Sequence, residues 1–306
     1  MQLKITEENA GLTIKQYIEK LGLSSRMVTR LKAKEKGILV NGEKKTVRHI
    51  LEDGDLLTLE TEDSASSKNI KPSFVPIEVI YEDDYYIAVR KDANLPIHPS
   101  RRHTDDTLAS RVMAHFQGKN FVFRVLTRLD RDTSGVVICA KDPVSAARFS
   151  KLLSNREVKK EYVAFCKGIF KEKSGVIDMN IRRPDPFNIK REAIVKCEGA
   201  GENSPFGSEA ITCFEVLGEG EDVSFVRFMP VTGRTHQIRV HSLAIGHPII
   251  ADTLYSDKSQ YISRQALHAE RITFVHPMTK ELTTIFCPMP EDMLLLKGAL
   301  FDEQKS

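Results

Sequence analysis

The amino-acid sequence predicts an α+β protein with a small N-terminal domain and a larger domain built on a mixed, largely antiparallel sheet flanked by helices and loops. The chain has 306 residues, enough for about two domains of ordinary size. The segment 61–73, TEDSASSKNIKPS, cannot bury an apolar face and is expected to be a linker. Beyond it, strand-like runs come in groups, without the regular alternation of a doubly wound sheet. We therefore predict domains at 1–60 and 74–306.

The N-terminal part is expected to form two short helices followed by two strands. Apolar residues recur at helical spacing within 12–21, and Ser-Ser at 24–25 can cap a second helix. The apolar run that begins at residue 38 ends in Asn41-Gly42, a dipeptide that suits a tight hairpin turn. The run 56–59 is the second strand.

The larger part begins with two apolar runs around an acidic turn, within 77–89, which is typical of a hairpin. A helix is expected over 142–153, with Pro143 in its first turn. The other predicted strands are 135–140, 162–166, 210–217 and 223–228.

Composition indicates a globular protein of the cytoplasm. Five cysteines without a C-x-x-C pair fit reduced thiols better than disulfides or a zinc site. The N-terminus lacks the apolar core of a signal peptide, and no apolar stretch is long enough to span a membrane. The net charge of +3 is too small to identify a partner, so the local distribution of charge matters more.

Basic residues are concentrated within 24–48, where eight Lys and Arg face two Glu. A solvated helix surface is one interpretation, and a phosphate-binding surface is the favoured one. The predicted RNA-binding residues here are Arg26, Arg30, Lys32, Lys44 and Lys45.

Residues 11–60 resemble the S4 RNA-binding domain. The likeness lies in Ser-Arg at 25–26, in GILVNG at 37–42 and in Asp-Gly-Asp at 53–55. The resemblance implies an αL-type fold that binds structured RNA mainly through shape and phosphate contacts. It indicates the class of partner and leaves the reaction undetermined.

Several common chemistries lack their motifs. The sequence has no G-x-x-x-x-G-K-[ST] loop and no complete G-x-G-x-x-G. His236 and His241 have poor spacing for zinc, and no cysteine lies near them. We therefore expect no metal and no nucleotide cofactor.

The stretch 128–135, RLDRDTSG, precedes the apolar run 136–138 and places a carboxylate between guanidinium groups. Neighbouring positive charge favours an ionised carboxylate, which can act as a nucleophile or a base. An ordinary salt-bridged turn is the alternative. Asp130 and Asp132 face opposite sides of an extended chain, so only one is the candidate, and Asp132 is expected to be a turn residue that bonds Ser134 or the backbone.

Most of residues 74–290 is similar to the pseudouridine synthases of the RluA type, in the large-subunit rRNA subfamily. The similarity depends on five motifs in order: RLDRDTSG at 128–135, KEYVA at 160–164, TGRTHQIRVH at 232–241, GHPI at 246–249 and LHA at 267–269 with His-Pro at 276–277. Two departures are Thr127, where many members have His, and KDAN at 91–94, where K-P-A-G is usual. Both departures affect the expected substrate more than the chemistry.

The resemblance implies roles for individual residues. Asp130 is expected to be the catalytic aspartate, Tyr162 to pack on the target base and Arg234 to pair with Asp130. Arg128 is expected to help displace the target nucleotide, and Leu267 to contact RNA. His236 and His241 are expected to be hydrogen-bonded structural groups.

The implied reaction isomerises uridine to pseudouridine without a cofactor. The C1′–N1 bond breaks, the uracil rotates, and C5 joins the same sugar carbon. Asp130 either attacks C1′ or removes a sugar proton to form a glycal, and the sequence leaves both routes open.

The expected partner is RNA. Ten basic residues face four acidic ones within 119–160, which adds a second basic region near the predicted site. Large-subunit rRNA, free or in a ribosomal particle, is the first substrate and tRNA the second. The alternative from another class is an RNA-binding ribosome-assembly factor without the reaction. We expect a monomer.

Overall fold

The residues that the computed structural model describes are 1–23, 25–60, 67, 70–99, 106–196, 201, 204 and 206–301. Most of the predicted linker and the Arg26 side chain lie outside this set. No helix in the described ranges is long and apolar enough to cross a membrane.

The N-terminal part contains two helices and a four-stranded antiparallel sheet. Its elements are β1 (Gln2–Lys4), a 3-10 turn (Glu7–Asn9), α1 (Ile14–Lys20), α2 (Ser25–Ala33), β2 (Ile38–Val40), β3 (Glu43–Lys44) and β4 (Leu56–Leu59). The strand order is β1-β4-β2-β3. The predicted two helices and two strands are confirmed. Strands β1 and β3 were missed because two or three residues carry too little alternation to detect.

Local sequence signals set the ends of these elements. Helix α1 begins with a capping box, in which the Gln16 N–H donates to Thr13 Oγ1 (3.3 Å) and the Thr13 N–H donates to Gln16 Oε1 (2.9 Å). The β2–β3 hairpin turns at Asn41 (φ 52°) and Gly42 (φ 84°), as the Asn-Gly dipeptide predicts.

The larger part is organised around one ten-stranded sheet. Its elements are β5 (Glu78–Glu82), β6 (Tyr86–Lys91), α3 (Leu108–His115), β7 (Ser134–Ala140), α4 (Pro143–Ser154), β8 (Lys159–Lys167), β9 (Ser174–Arg182), β10 (Glu192–Ile194), β11 (Ser208–Glu219), β12 (Val223–Pro230), α5 (Gln237–Ala244), β13 (Leu267–Val275), β14 (Leu282–Phe286) and α6 (Glu291–Phe301). The order is β10-β9-β11-β12-β8-β13-β7-β6-β5, and β14 pairs with β13.

The predicted α+β class and the largely antiparallel sheet are confirmed. Among the described strands, β7 and β13 form the only parallel pair. Helix α4 begins where the sequence predicts, with Pro143 in the first turn and Asp142 Oδ1 accepting hydrogen bonds from the Val144 and Ser145 N–H groups (2.7 and 3.0 Å).

Buried side chains from the sheet and the helices form several connected cores. One core lies between β8, β12, α5 and α6 and contains the stacked rings of Phe165 and Phe225. The core of the N-terminal part includes Val144 of α4, and Ala147 packs against it. The two parts of the chain therefore share apolar contacts through α4.

Candidate active site

Asp130 lies in a loop that is fixed at both ends. Before the loop, the Leu126 N–H donates to Ile138 O (2.8 Å), and the Ile138 N–H donates to Thr127 Oγ1 (3.0 Å). After Asp130, its carbonyl accepts from the Thr133 N–H (3.2 Å) and closes a turn. The carboxylate is therefore presented from a turn at the start of β7.

Gly135 allows β13 to approach this loop closely. Its φ is 127°, and a Cβ at this position would lie 2.3 Å from Ala269 O. The adjacent Ser134 hydroxyl bonds to His268 Nδ1 at 2.9 Å. These contacts give a physical reason for the Thr-Ser-Gly part of the motif, because a larger residue than glycine would separate β7 from β13.

The guanidinium group that pairs with Asp130 belongs to Arg239. Its Nη1 lies 2.8 Å from Asp130 Oδ2, while Nε and Nη2 hold both oxygens of Asp252 at 2.7 Å. Burial lowers the pKa of Arg239, but Asp252 and Asp130 outweigh burial and raise it above its ordinary value. Arg239 therefore stays charged and joins α5 to the Asp130 loop.

The prediction that Arg234 pairs with Asp130 is wrong in this structure. Arg234 is exposed, and its Nε donates to Glu209 O (2.9 Å). The cause is the turn before α5, where Gln237 Oε1 accepts from the Thr232 hydroxyl (2.8 Å) and from the Arg234 N–H (2.9 Å). Arg239 was missed, although an arginine between Ile238 and Val240 is a signal of a buried charge that needs a partner.

Tyr162 and Leu267 lie in neighbouring strands and line the same cleft as Asp130. Tyr162 is half-buried in β8, opposite Phe228 of β12 and Ala269 of β13. Burial raises the pKa of the Tyr162 phenol, and the Asp130 charge raises it further. The ring is therefore neutral and can offer an aromatic face.

The cleft has a volume of about 790 Å³, enough for a nucleotide-sized group. The predicted site residues that line it are Arg128, Asp130, Tyr162, Arg234 and Leu267. Further basic residues of the lining are Arg131, Arg156 and Lys160. Arg131 pairs with Asp132 and Arg156 with Glu209, whereas the exposed Arg128 and Arg234 form no salt bridge among the described residues and can contact a phosphate backbone.

The basic residues predicted in the N-terminal part are not among those that line this cleft. Arg30, Lys32 and Lys44 are exposed. Lys45 forms a 2.8 Å ion pair with Glu43, and the Arg26 side chain lies outside the described residues. If these residues bind RNA, they do so on a separate surface.

His236 and His241 are both hydrogen-bonded, as expected. His236 has a left-handed φ of 59°, its Nδ1 lies 2.8 Å from the Tyr255 hydroxyl, and its Nε2 lies 3.9 Å from Asp130 Oδ2. Burial lowers the pKa of His236. His241 bonds to Thr212 Oγ1 (2.9 Å), and burial lowers its pKa to about 4. Both rings are therefore neutral near pH 7.

Asp132 does not bond Ser134 through its side chain as predicted. Its carboxylate pairs with the guanidinium of its neighbour Arg131, with Nε 2.9 Å from Oδ1. Ser134 bonds to His268 instead. Asp132 therefore neutralises a cation at the edge of the loop.

Lys91 is a further buried group that supports the loop. Its Nζ donates to the carbonyl oxygens of Asp92 (2.8 Å), Leu95 (2.9 Å) and Arg131 (2.7 Å). Burial lowers the pKa of Lys91 to about 7. The departure KDAN at 91–94 therefore keeps a lysine that joins the end of β6 to the Asp130 loop.

Comparisons with known proteins agree on one family. A family profile described as RNA pseudouridylate synthase matches residues 85–244, which include Asp130, Tyr162 and Arg239. The RNA pseudouridine synthase YjbO of Bacillus subtilis is 36% identical and covers 94% of this chain and 99% of its own length. Ribosomal large subunit pseudouridine synthase D of Nitrosomonas europaea is 29% identical and covers 98% of this chain and 88% of its own length. Human RNA pseudouridylate synthase domain containing 1 has a TM-score of 0.58 at 28% identity, over 71% of this chain and 85% of that one.

Proposed function

The chain belongs to the RNA pseudouridine synthase family, and from this premise we propose that Asp130 is its catalytic carboxylate and that large-subunit rRNA is its substrate. The observation that most directly supports the role of Asp130 is its position in the cleft, where Arg239 Nη1 lies 2.8 Å from one carboxylate oxygen. A carboxylate fixed in this way is oriented before the substrate arrives. It therefore needs little reorganisation during the reaction.

Asp130 acts on the sugar of the target uridine. The glycosidic C1′–N1 bond breaks, the uracil rotates, and the new bond joins C5 to C1′. C5 then loses its hydrogen as a proton, and N1, which no longer bonds to the sugar, gains a proton. Asp130 serves either as the nucleophile at C1′ or as the base that removes a sugar proton. Arg239 holds the carboxylate in place for both routes.

The target base has to leave its stack to reach Asp130. In our proposal the half-buried Tyr162 ring replaces the lost stacking, since it lines the cleft and its phenol is neutral. Arg128 is exposed at the same cleft and occupies the space that the displaced nucleotide leaves. Leu267 supplies an apolar contact from β13.

Two observations support large-subunit rRNA as the substrate. The Nitrosomonas relative, named for the ribosomal large subunit, covers 98% of this chain, including the N-terminal part. That part presents exposed cations, Arg30, Lys32 and Lys44, as a surface for structured RNA. We propose that residues 1–60 are an S4-like RNA-binding domain, that 61–73 connect it to a catalytic domain at 74–306, and that the protein acts as a monomer.

The test is to delete the gene in its host and to map pseudouridines in total RNA by carbodiimide modification and primer extension. Complementation with the wild-type protein should restore a missing site in large-subunit rRNA, and Asp130→Asn should not. Asp130→Asn should keep its RNA affinity, so an equal loss of binding would make Asp130 structural. A missing site in tRNA would change the substrate, and no missing site in either RNA would favour a binding factor without the reaction.

A further inference from the structure

The loop between β9 and β10, residues 183–191, exposes apolar side chains that the fold does not use. The Phe187 side chain is 96% exposed and Ile189 is 64% exposed. Single exposed apolar residues are common on protein surfaces and need no explanation. Here a fully exposed ring lies two residues from a second exposed apolar side chain, in a loop that also carries cations.

The loop is held by its own hydrogen bonds. Asp185 Oδ1 accepts from the Phe187 N–H (2.8 Å), and Asp185 O accepts from the Asn188 N–H (3.1 Å). Arg183 Nε donates to Asn188 O (2.8 Å) and closes the base of the turn. Pro184 and Pro186 fix two further backbone angles. The Phe187 ring therefore lies on a turn that is already ordered. Little conformational entropy is lost when a ligand stacks on this ring.

The charge of the loop favours an anionic partner. Arg183, Lys190 and Arg191 outnumber the single acid, Asp185, whose Oδ1 already accepts a backbone hydrogen bond. Among the described residues, none of these three cations forms a salt bridge, and the Arg191 guanidinium donates to the carbonyls of Ile189 and Lys190. Burial lowers the pKa of Arg191, and the nearby Arg183 lowers it further. Neither guanidinium group has a carboxylate partner among the described residues, so a phosphate would supply the missing opposite charge.

The loop is connected to the wall of the cleft. The Arg191 N–H donates to the Tyr255 hydroxyl (2.8 Å), which lies 2.8 Å from His236 Nδ1. His236 lines the cleft, and its Nε2 lies 3.9 Å from Asp130 Oδ2. These contacts place the Arg191 end of the loop beside the wall of the cleft.

We propose that the 183–191 loop is an RNA-binding element in which Phe187 stacks on an unpaired base near the target uridine, while Arg183, Lys190 and Arg191 contact the adjacent phosphates. A ring between uncompensated cations is the arrangement by which proteins hold single-stranded nucleic acid. This inference rests on the proposed function, because it takes the RNA in the cleft as the strand that reaches the loop. The proposal adds an RNA contact at Phe187, which lies outside the five sequence motifs and outside the basic N-terminal surface.

The direct test measures binding of a fluorescein-labelled 12-nucleotide oligouridine by anisotropy. Phe187→Ala should raise the Kd about tenfold, because stacking of one base is lost, and Phe187→Trp should restore it to within about twofold. The matched control is Phe286→Ala, which removes a 48% exposed ring beneath the Arg271 guanidinium from β14 and should leave the Kd unchanged. A Phe187→Ala protein that binds as tightly as wild type would overturn the proposal and turn attention to a protein partner.

A second measurement separates this inference from the proposed function. The wild-type protein should release tritium from a large-subunit rRNA transcript labelled with [5-³H]uridine, since C5 loses its hydrogen when it bonds to C1′. If the wild type releases none, the proposed function fails whatever Phe187 does. If it does release tritium and Phe187→Ala has an unchanged KM, only the stacking proposal fails. The expected result is a KM raised about tenfold with kcat retained.

Discussion

Arg239 is the residue on which the orientation of the Asp130 carboxylate depends. Its side chain is 7% exposed and lies between Asp130 and an Asp252 side chain that is 1% exposed. Because Asp252 takes Nε and Nη2, the remaining Nη1 is directed at Asp130. The planar guanidinium can hold both carboxylates at once, and an ammonium group cannot reproduce this geometry.

Arg239→Lys should therefore lower kcat by about 10- to 100-fold, roughly 1.4 to 2.8 kcal/mol of transition-state stabilisation, with a smaller effect on KM. It should also destabilise the fold by roughly 1.5 to 3 kcal/mol, because a lysine ammonium cannot keep both hydrogen bonds to the buried Asp252. Tritium release and urea unfolding measure the two effects. The control is Arg234→Lys, which should keep kcat within about threefold; a larger loss of kcat there than at Arg239 would restore Arg234 as the partner of Asp130.

His268 should make stability depend on pH. Burial lowers its pKa to about 4, and Nε2 donates to Cys287 O (2.9 Å) while Nδ1 accepts from the Ser134 hydroxyl (2.9 Å). An unfolded histidine binds its proton near pH 6.5, so between pH 6.5 and 4 the unfolded chain binds more protons than the folded chain. The free energy of unfolding should fall as the pH is lowered through this range, by up to about 3 kcal/mol from this group.

Urea unfolding at several pH values checks this expectation. His268→Gln should be less stable than wild type at pH 7.5, and the difference should shrink as the pH approaches 5. Parallel stability curves for the two proteins would show that His268 does not cause the dependence.

Sequence alone could identify some of these residues and not others. Asp130 could be singled out from Asp132 because the resemblance names the first acid of RLDRDTSG, and Tyr162 because it is the single aromatic residue of KEYVA. The motif at 232–241 contains two arginines, and spacing does not say which one turns inward. That choice depends on the hydrogen bonds of Gln237, which form only in the folded turn.

At the scale of elements, the parallel contact between β7 and β13 holds the Asp130 loop against the rest of the sheet. Ser134 and Gly135 are opposite His268 and Ala269. Strand β7 could be predicted from its apolar run, but β13 was not predicted. Their pairing could not, because residues more than 130 positions apart meet there and the hydrophobic pattern carries no information about register.

Gly135→Ala should destabilise the protein by more than about 3 kcal/mol, since the new Cβ would lie 2.3 Å from Ala269 O and the strands would have to separate. Gly246→Ala is a matched control, because Gly246 also has a positive φ (86°) but has nothing within 4 Å of the added Cβ. It should cost only about 1 kcal/mol of backbone strain. If urea unfolding showed the same loss of unfolding free energy for both variants, backbone strain alone, rather than the contact with β13, would explain why position 135 requires glycine.

At the scale of the whole molecule, the basic residues counted in the sequence are partly neutralised. Lys34 pairs with Glu60 at 3.1 Å and Lys45 with Glu43 at 2.8 Å, so neither presents a free charge. A count of charged residues could not predict the Lys34–Glu60 pair, because Glu60 lies far from Lys34 in sequence and outside the basic segment. Among the described side chains of this segment, the exposed remainder is smaller but still positive: Arg30, Lys32, Lys36, Lys44 and Arg48.

The contact between the two parts of the chain was also not predictable. The apolar pattern of α4 indicates a helix, but it does not reveal that Val144, only 2% exposed, lies in the core of the N-terminal part. Removing residues 1–60 would expose this side chain. Substitution of surface charges in the full-length protein is therefore a cleaner test of RNA binding than truncation.

The triple variant Arg30→Gln, Lys32→Gln, Lys44→Gln should bind a large-subunit rRNA transcript more weakly than wild type, and the difference should be largest at low salt. Each lost phosphate contact reduces the slope of log K against log salt by about 0.7 to 0.9, so three lost contacts reduce it by about 2 to 3. Filter binding between 50 and 300 mM salt, roughly the range over which such contacts are screened, measures the slope. The control variant removes three cations from exposed positions elsewhere, Lys171→Gln, Lys258→Gln and Lys280→Gln. If both variants reduced the slope equally, net charge rather than the N-terminal surface would account for the binding.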